Sequence, residues 1–213
     1  MRGRATATGC AILVALTGCG GSERQDAKEP SGDFKVEIIK ASFAEQQQLA
    51  DEQTMKITVR NADTKPLPNV AVTVATQPGD AGGAPQSFST DIADPNVADA
   101  SRPIWIVDES PRGGETAYTN TWALGPLPAG ETRDFEWKVT AVKAGDYTID
   151  YSVSPGLTGK AKPAGGRTTE GTFKVTIDDT PPNSRIGDNG QVIREPGGAR
   201  AGSGPGSGSG SDN

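Results

Sequence analysis

The stretch WALGPLPAGETRDFEWKVTAVKAGDYTIDYSV, residues 122–153, decides the fold. Within it Phe135, Trp137 and Val139 alternate with Glu136 and Lys138. Further on, Tyr147, Ile149, Tyr151 and Val153 alternate with Thr148, Asp150 and Ser152. Successive side chains of a strand point to opposite faces, so each run presents one apolar and one polar face. The run Gly125-Pro126-Leu127-Pro128-Ala129-Gly130 and the pair Ala144-Gly145 carry the residues that turn a chain.

The same period recurs on both sides. Phe34, Val36 and Ile38 alternate with Lys35 and Glu37; Met55, Ile57 and Val59 alternate with Lys56, Thr58 and Arg60. Val70, Val72 and Val74 alternate with Ala71 and Thr73; Phe173, Val175 and Ile177 alternate with Lys174 and Thr176. Six segments therefore keep period two, and residues 104–107 and 118–124 are two weaker candidates. Residues 61–68 add a further turn signal, and residues 41–53 (ASFAEQQQLADEQ) read as a short helix or an irregular connection. One apolar face per strand is the pattern of antiparallel sheets packed face to face. The expectation is an all-β, immunoglobulin-like antiparallel β-sandwich of seven to eight strands over residues 33–180. A domain of that length buries enough surface to be stable without disulfides.

The flanks differ. Arg2 and Arg4 precede an apolar run, Ala11-Ile12-Leu13-Val14-Ala15-Leu16, which is too short to span about 30 Å of hydrocarbon. A positive start, a short apolar core and small residues describe a secretory signal peptide over residues 1–18. The run ends Leu16-Thr17-Gly18-Cys19, which resembles the bacterial lipobox. That resemblance implies cleavage before Cys19 and a diacylglyceryl thioether on its sulfur. Two acyl chains hold a membrane stably where one holds it only marginally. The plainer alternative is an ordinary signal peptide with a chance cysteine. Residues 19–32 then form the lipidated cysteine and a polar tether, whose thirteen residues after Cys19 reach about 20 Å root-mean-square as a flexible coil. Residues 181–213 open with Pro181-Pro182, end in GSGPGSGSGSDN and read as a disordered Gly/Ser/Pro-rich tail.

Composition narrows the chemistry. The net charge of −6, or −8 once Arg2 and Arg4 are removed, argues against a nucleic-acid partner, which needs clustered Lys and Arg. Histidine is absent and the only cysteines are Cys10 and Cys19, so His- or Cys-based triads and imidazole or thiolate metal sites are excluded from the domain. No Ser-x-x-Lys or Gly-x-Ser-x-Gly run occurs. Asp108-Glu109 and Asp178-Asp179 are paired acids, but neighbours on one strand face opposite ways and do not converge. Calcium prefers oxygen ligands, and Asp91, Asp94 and Asp99 are its weak candidates, in a long loop over residues 77–103 without EF-hand spacing. Two methionines and no histidine leave little for copper. No cofactor is expected. The second long loop, residues 154–170, carries Lys160, Lys162 and Arg167 as a possible binding site for an acidic glycan or lipid headgroup. Long loops are either functional or unstructured, and both readings stand for these two.

The G-x-L-x-x-G-E-T turn at Gly125–Thr132, the A-G-x-Y-x-I-x-Y run at Ala144–Tyr151, and Val59-Arg60-Asn61 ahead of residues 66–74 resemble immunoglobulin-like CARDB-type modules. The domain is also similar to actinobacterial secreted proteins and lipoproteins without assigned activity. In this resemblance Tyr147 takes the place of the tyrosine corner, its ring filling the core and its hydroxyl bonding backbone of the preceding turn. The expected function is a non-catalytic binding or scaffolding module, lipid-anchored on the extracytoplasmic face of the cell membrane, with a protein or glycan partner in the envelope. The alternative is an accessory subunit or enzyme acting on cell-wall or ester substrates through carboxylates.

Overall fold

The computed structural model describes residues 29–77, 86–90, 102–114, 116, 118–182 and 184–194, and no helix occurs among them. In chain order the strands are β1 (Gly32–Phe34), β2 (Val36–Ser42), β3 (Gln46–Gln48), β4 (Glu52–Asn61), β5 (Ala71–Thr76), β6 (Phe88–Ser89) and β7 (Trp105–Glu109). There follow β8 (Thr121–Ala123), β9 (Thr132–Ala141), β10 (Gly145–Ser154), β11 (Ala161–Pro163), β12 (Glu170–Asp178), β13 (Ser184–Ile186) and β14 (Val192–Arg194). One five-stranded sheet runs β2-β4-β9-β7-β6 and the other β3-β12-β10-β5-β8. The fold is the expected all-β sandwich, and each of the six period-two segments lies largely in a strand of six residues or more, with Phe34 set apart on β1 and Val70 just ahead of β5.

The inner faces meet where the pattern places them. Met55, Ile57 and Val59 on β4 and Phe135, Trp137 and Val139 on β9 are fully buried, as are Val72 and Val74 on β5 and Ile149 on β10. Each such side chain contributes about 1.5–3 kcal/mol by leaving water. Rings thread the interface: Trp105 lies 5.3 Å from Phe43 and 5.9 Å from Phe88, and Phe88 lies 5.8 Å from Trp122. Trp122 meets Trp137 edge-on at 5.4 Å. The weaker segments prove to be strands because they carry these rings, Trp105 on β7 and Trp122 on β8.

Three short strands depart from antiparallel pairing: β3 joins β12, β6 joins β7 and β1 joins β11 in parallel. With these and the other short strands the described chain has fourteen strands, above the seven to eight expected. Residues 41–53 form no helix. The chain leaves β2 at Ser42, buries Phe43, pairs β3 with the opposite sheet and returns as β4. Gln47 explains the choice: it is buried, donates to Ala44 O at 2.9 Å and accepts the Trp105 indole N–H at 2.8 Å. A buried amide with both ends paired outweighs the modest helix propensity of a glutamine run. Ala50 turns the chain back with a left-handed φ of 60°. On β2 a register shift between Ile38 and Lys40 breaks the period and leaves Ile39 exposed.

Order extends past both ends of the expected 33–180 domain. Residues 29–32 lie against the loop after β10 (below), and β13 and β14 pair as a hairpin within the segment read as tail. Polar, Gly-rich composition hid both, because backbone pairing needs no apolar signal.

Asn61 closes the sandwich at one end. It is fully buried; its Nδ2 donates to the carbonyls of Lys65 (3.0 Å), Leu127 (2.8 Å) and Pro128 (3.0 Å), and its Oδ1 accepts from Asp63 N–H at 2.9 Å. It thereby ties the 61–65 turn to the 127–128 turn, sixty-six residues on to Leu127. Asn61→Ala takes its partner from the Lys65 carbonyl and the Asp63 N–H and breaks the tie between the turns, although the Leu127 and Pro128 carbonyls keep the Leu67 and Glu131 N–H groups. We expect a loss of about 2–3 kcal/mol in unfolding free energy, read as a lower urea midpoint at an unchanged slope.

Candidate functional site

The loop between β10 and β12 is built around a carboxylate from the other end of the chain. Ser154-Pro155-Gly156-Leu157-Thr158-Gly159 turns sharply, with Gly159 at a φ of 75° and Ser154 Oγ donating to Gly156 O. The turn points three N–H groups one way. Glu29 fills the concavity: its Oε2 accepts from Leu157 N (2.8 Å) and Thr158 N (3.1 Å), and its Oε1 from Ala161 N (3.4 Å). Successive backbone amides of this kind form an anion-binding nest. Glu29 is 9% exposed, so the three donors replace much of the water that a carboxylate surrenders on burial. Glycine at 156 leaves room for the clasp, since a Cβ there would overlap the Glu29 carboxylate and press on Ala161 Cβ at 2.9 Å. The clasp continues as Gly32 N–H donates to Lys160 O (3.0 Å), β1 pairs with β11, and Ala164 N–H donates to Phe34 O (2.7 Å). The Phe34 ring is buried under Lys65 Nζ, 4.1 Å from its centroid.

The three cations singled out in this loop separate into two kinds. Arg167 is ion-paired to Glu37 Oε2, while Glu37 Oε1 faces Arg60 Nε at 3.5 Å. Arg167 thus fastens the loop to the outer face of β2. Lys160 and Lys162 are exposed, and no described residue bonds to either ammonium group. Asp33 stands opposite Lys162 in the β1–β11 register. Glu29 was missed in the sequence because an acid beside Pro30 in a polar stretch reads as a solvated linker. The available signal was the Gly156-Leu157-Thr158-Gly159 run, which suits an exposed row of amides.

Tyr147 Oη donates to Ala144 O at 2.9 Å, and its ring meets Trp105 at 6.0 Å. Burial, helped by Asp146, raises its phenol pKa. Cys19 and the calcium candidates Asp91, Asp94 and Asp99 lie outside the described residues.

A groove of about 740 Å³ crosses the outer face of the β2-β4-β9-β7-β6 sheet, between β9 and residues 110–113. Its floor is charged. Lys138 Nζ sits 2.8 Å from Glu109, and Lys56 Nζ sits 2.8 Å from Asp134 and 3.9 Å from Glu136. The Lys56 hydrogen bond, with the Thr58 hydroxyl at 2.6 Å, holds the Asp134 carboxyl below its ordinary range. Arg133 reaches Leu124 O at 2.7 Å. Arg112 at the rim is exposed, and no described residue supplies it with an anion. The paired acids do not meet. Asp108 accepts from Thr140 Oγ1 at 2.7 Å on one sheet, and Asp178 accepts from Thr180 N at 2.8 Å on the other. Among the described residues no three His, Cys, Asp or Glu side chains gather as a metal site. No described helix is long and apolar enough to cross a membrane.

No protein-family model and no curated protein matches the chain. Among solved structures it is similar to the CARDB domain of a Pyrococcus furiosus protein in complex with di-metal ions. That match has 16% identity and a TM-score of 0.41, over 70% of this chain and 94% of that one. It is also similar to the PapD-like domain 7 of human CEP192, with 13% identity and a TM-score of 0.37 over 82% and 98% of the two chains. A third likeness is to Escherichia coli alpha-2-macroglobulin, with 13% identity and a TM-score of 0.36 over 68% of this chain and 7% of that one.

Two outcomes follow from this geometry. Gly156→Ala drives Glu29 from its nest, so the Leu157, Thr158 and Ala161 amides exchange with deuterium at least tenfold faster by NMR, the equivalent of about 1.4 kcal/mol in local opening. Asp134 has a folded-state pKa below its unfolded one, so its contribution is complete above an unfolded value of about 4 and fades as pH falls through the folded value. The stability gap between wild type and Asp134→Asn in urea melts is therefore widest near neutrality and closes below a pH of about 4.

Proposed function

We propose that the chain is a lipoprotein, held on the extracytoplasmic face of the cell membrane through a lipidated Cys19. Its sandwich binds or scaffolds a protein or glycan partner in the envelope without chemistry of its own. The anchor rests on the Leu16-Thr17-Gly18-Cys19 motif. The observation that carries the binding reading is the groove along β9. It is open, polar-floored and rimmed by Arg112, whose guanidinium can fork to a carboxylate or pack flat on a sugar or aromatic face. The acids in it already hold cations, Glu109 with Lys138 and Asp134 with Lys56, which leaves less support for the carboxylate-enzyme alternative.

Intact mass spectrometry of membrane-extracted protein is expected to show a chain starting at Cys19 and carrying diacylglycerol, with Cys19→Ser released from the membrane fraction. Cross-linking in cells is expected to recover a defined partner that Arg112→Glu loses. Hydrolysis of a cell-wall or ester substrate by the purified protein, abolished by Glu136→Gln, overturns the non-catalytic reading.

A further inference from the structure

The nest that grips Glu29 also fixes where the N-terminal segment leaves the sandwich. Leu157, Thr158 and Ala161 hold its carboxylate, and Gly32 N–H bonds Lys160 O, so the exit lies on the loop that carries Lys160 and Lys162. Glu29 lies only ten chain steps beyond Cys19, with nine residues between them. Even fully extended, ten steps span at most about 36 Å, so a lipid on Cys19 keeps this end of the domain beside the bilayer.

We propose that the Glu29 clasp turns the 156–164 end of the sandwich toward the membrane, so that Lys160 and Lys162 rest on anionic lipid headgroups. The inference depends on the lipid-anchor reading. Lys160 and Lys162 are exposed, and Lys65 lies over Phe34 beside them. Against them stand Asp33, across from Lys162, and Asp63, whose carboxylate accepts the Lys35 and Thr64 backbone N–H groups. The Glu29 charge is buried and spoken for by three amides. With exposed Lys35 beside Asp63, four lysines stand against three carboxylates, and the least accessible of the three is Glu29, so the accessible balance is positive in a chain that is acidic as a whole. Near an anionic surface each lysine biases orientation roughly fivefold, too little to recruit a free domain but enough to orient one already tethered.

The test uses the full lipidated protein in phosphatidylcholine vesicles with and without phosphatidylglycerol, read by acetylation of individual lysines. Lys174, on the outer face of β12, serves as the internal reference. Phosphatidylglycerol is expected to slow Lys160 and Lys162 at least fivefold relative to Lys174. High salt should remove the effect. Glu29→Gln should weaken it while the protein stays bound to vesicles. Phosphatidylglycerol should also slow Lys65, which lies at the same end, and Lys160→Glu/Lys162→Glu should abolish that slowing. Reactivities unchanged by phosphatidylglycerol, with the protein still co-floating with vesicles, overturn the proposal and leave the anchor standing. Failure to co-float with either vesicle overturns the anchor reading and this inference with it.

Discussion

The indole of Trp105 is the point on which the two sheets depend. It is buried on β7, surrounded by Phe43, Phe88 and Tyr147, and its N–H finds an acceptor in Gln47, across the sandwich on β3. A buried indole N–H without a partner costs about as much as a good contact gains; Gln47 spares Trp105 that cost, whereas Trp137 Nε1, equally buried, has no partner among the described residues. Gln47 can be there only because the chain leaves β2 and pairs briefly with β12. That detour places Phe43 between Trp105 and Phe173, 5.8 Å from the latter. Phe173 in turn lies tilted against Tyr151, ring centroids 4.6 Å apart, and Tyr151 covers Gly171 so closely that a Cβ there would displace its ring. The Trp105–Gln47 bond, the strand switch at β3 and the bare glycine opposite Tyr151 thus adjoin one another through Phe43 and Phe173.

Period two made the long strands legible, because burial of one face imposes alternation and a slip of one residue inverts it. Phe135, Trp137 and Val139 could be placed on the inner face from the sequence alone. The pattern fails where a strand is too short to show a period or where backbone geometry intervenes. β3 has three glutamines, of which only the middle one is buried. Phe88 marks a two-residue strand inside a loop whose composition speaks of turns. Ile39 keeps an apolar side chain in water because the bulge beside it rotates the strand.

The candidate site was less legible for a different reason. Its contacts join residues far apart in the chain, such as Glu29 with Leu157 and Glu37 with Arg167, separated by 128 and 130 residues. Charged residues have no period that reveals their partners. Lys160, Lys162 and Arg167 look equivalent in the sequence; only the fold shows that one of them is committed to Glu37. Asn61 is intermediate. Its place after Val59-Arg60 announces a turn, but the carbonyls of Leu127 and Pro128 that it holds come from the far side of the sandwich.

These commitments decide what the surface can offer a partner. The rings are spent in the core: of the large apolar side chains described, only Ile39, Tyr118, Ile186 and Ile193 are exposed. Recognition therefore falls to polar groups. Those along β4 and β9 are already engaged, and a ligand that captured Lys56 would have to leave Asp134 without its cation. Separating such a pair sets the cost of the broken bond against the new one, so little net affinity is gained. Arg112, Lys160 and Lys162 have no such cost, since no described carboxylate waits to be abandoned. They lie on different parts of the sandwich, Arg112 at the groove beside β9 and the lysines at the loop bound to Glu29. A domain arranged this way can meet a charged surface through one region while the other stays open to a second partner.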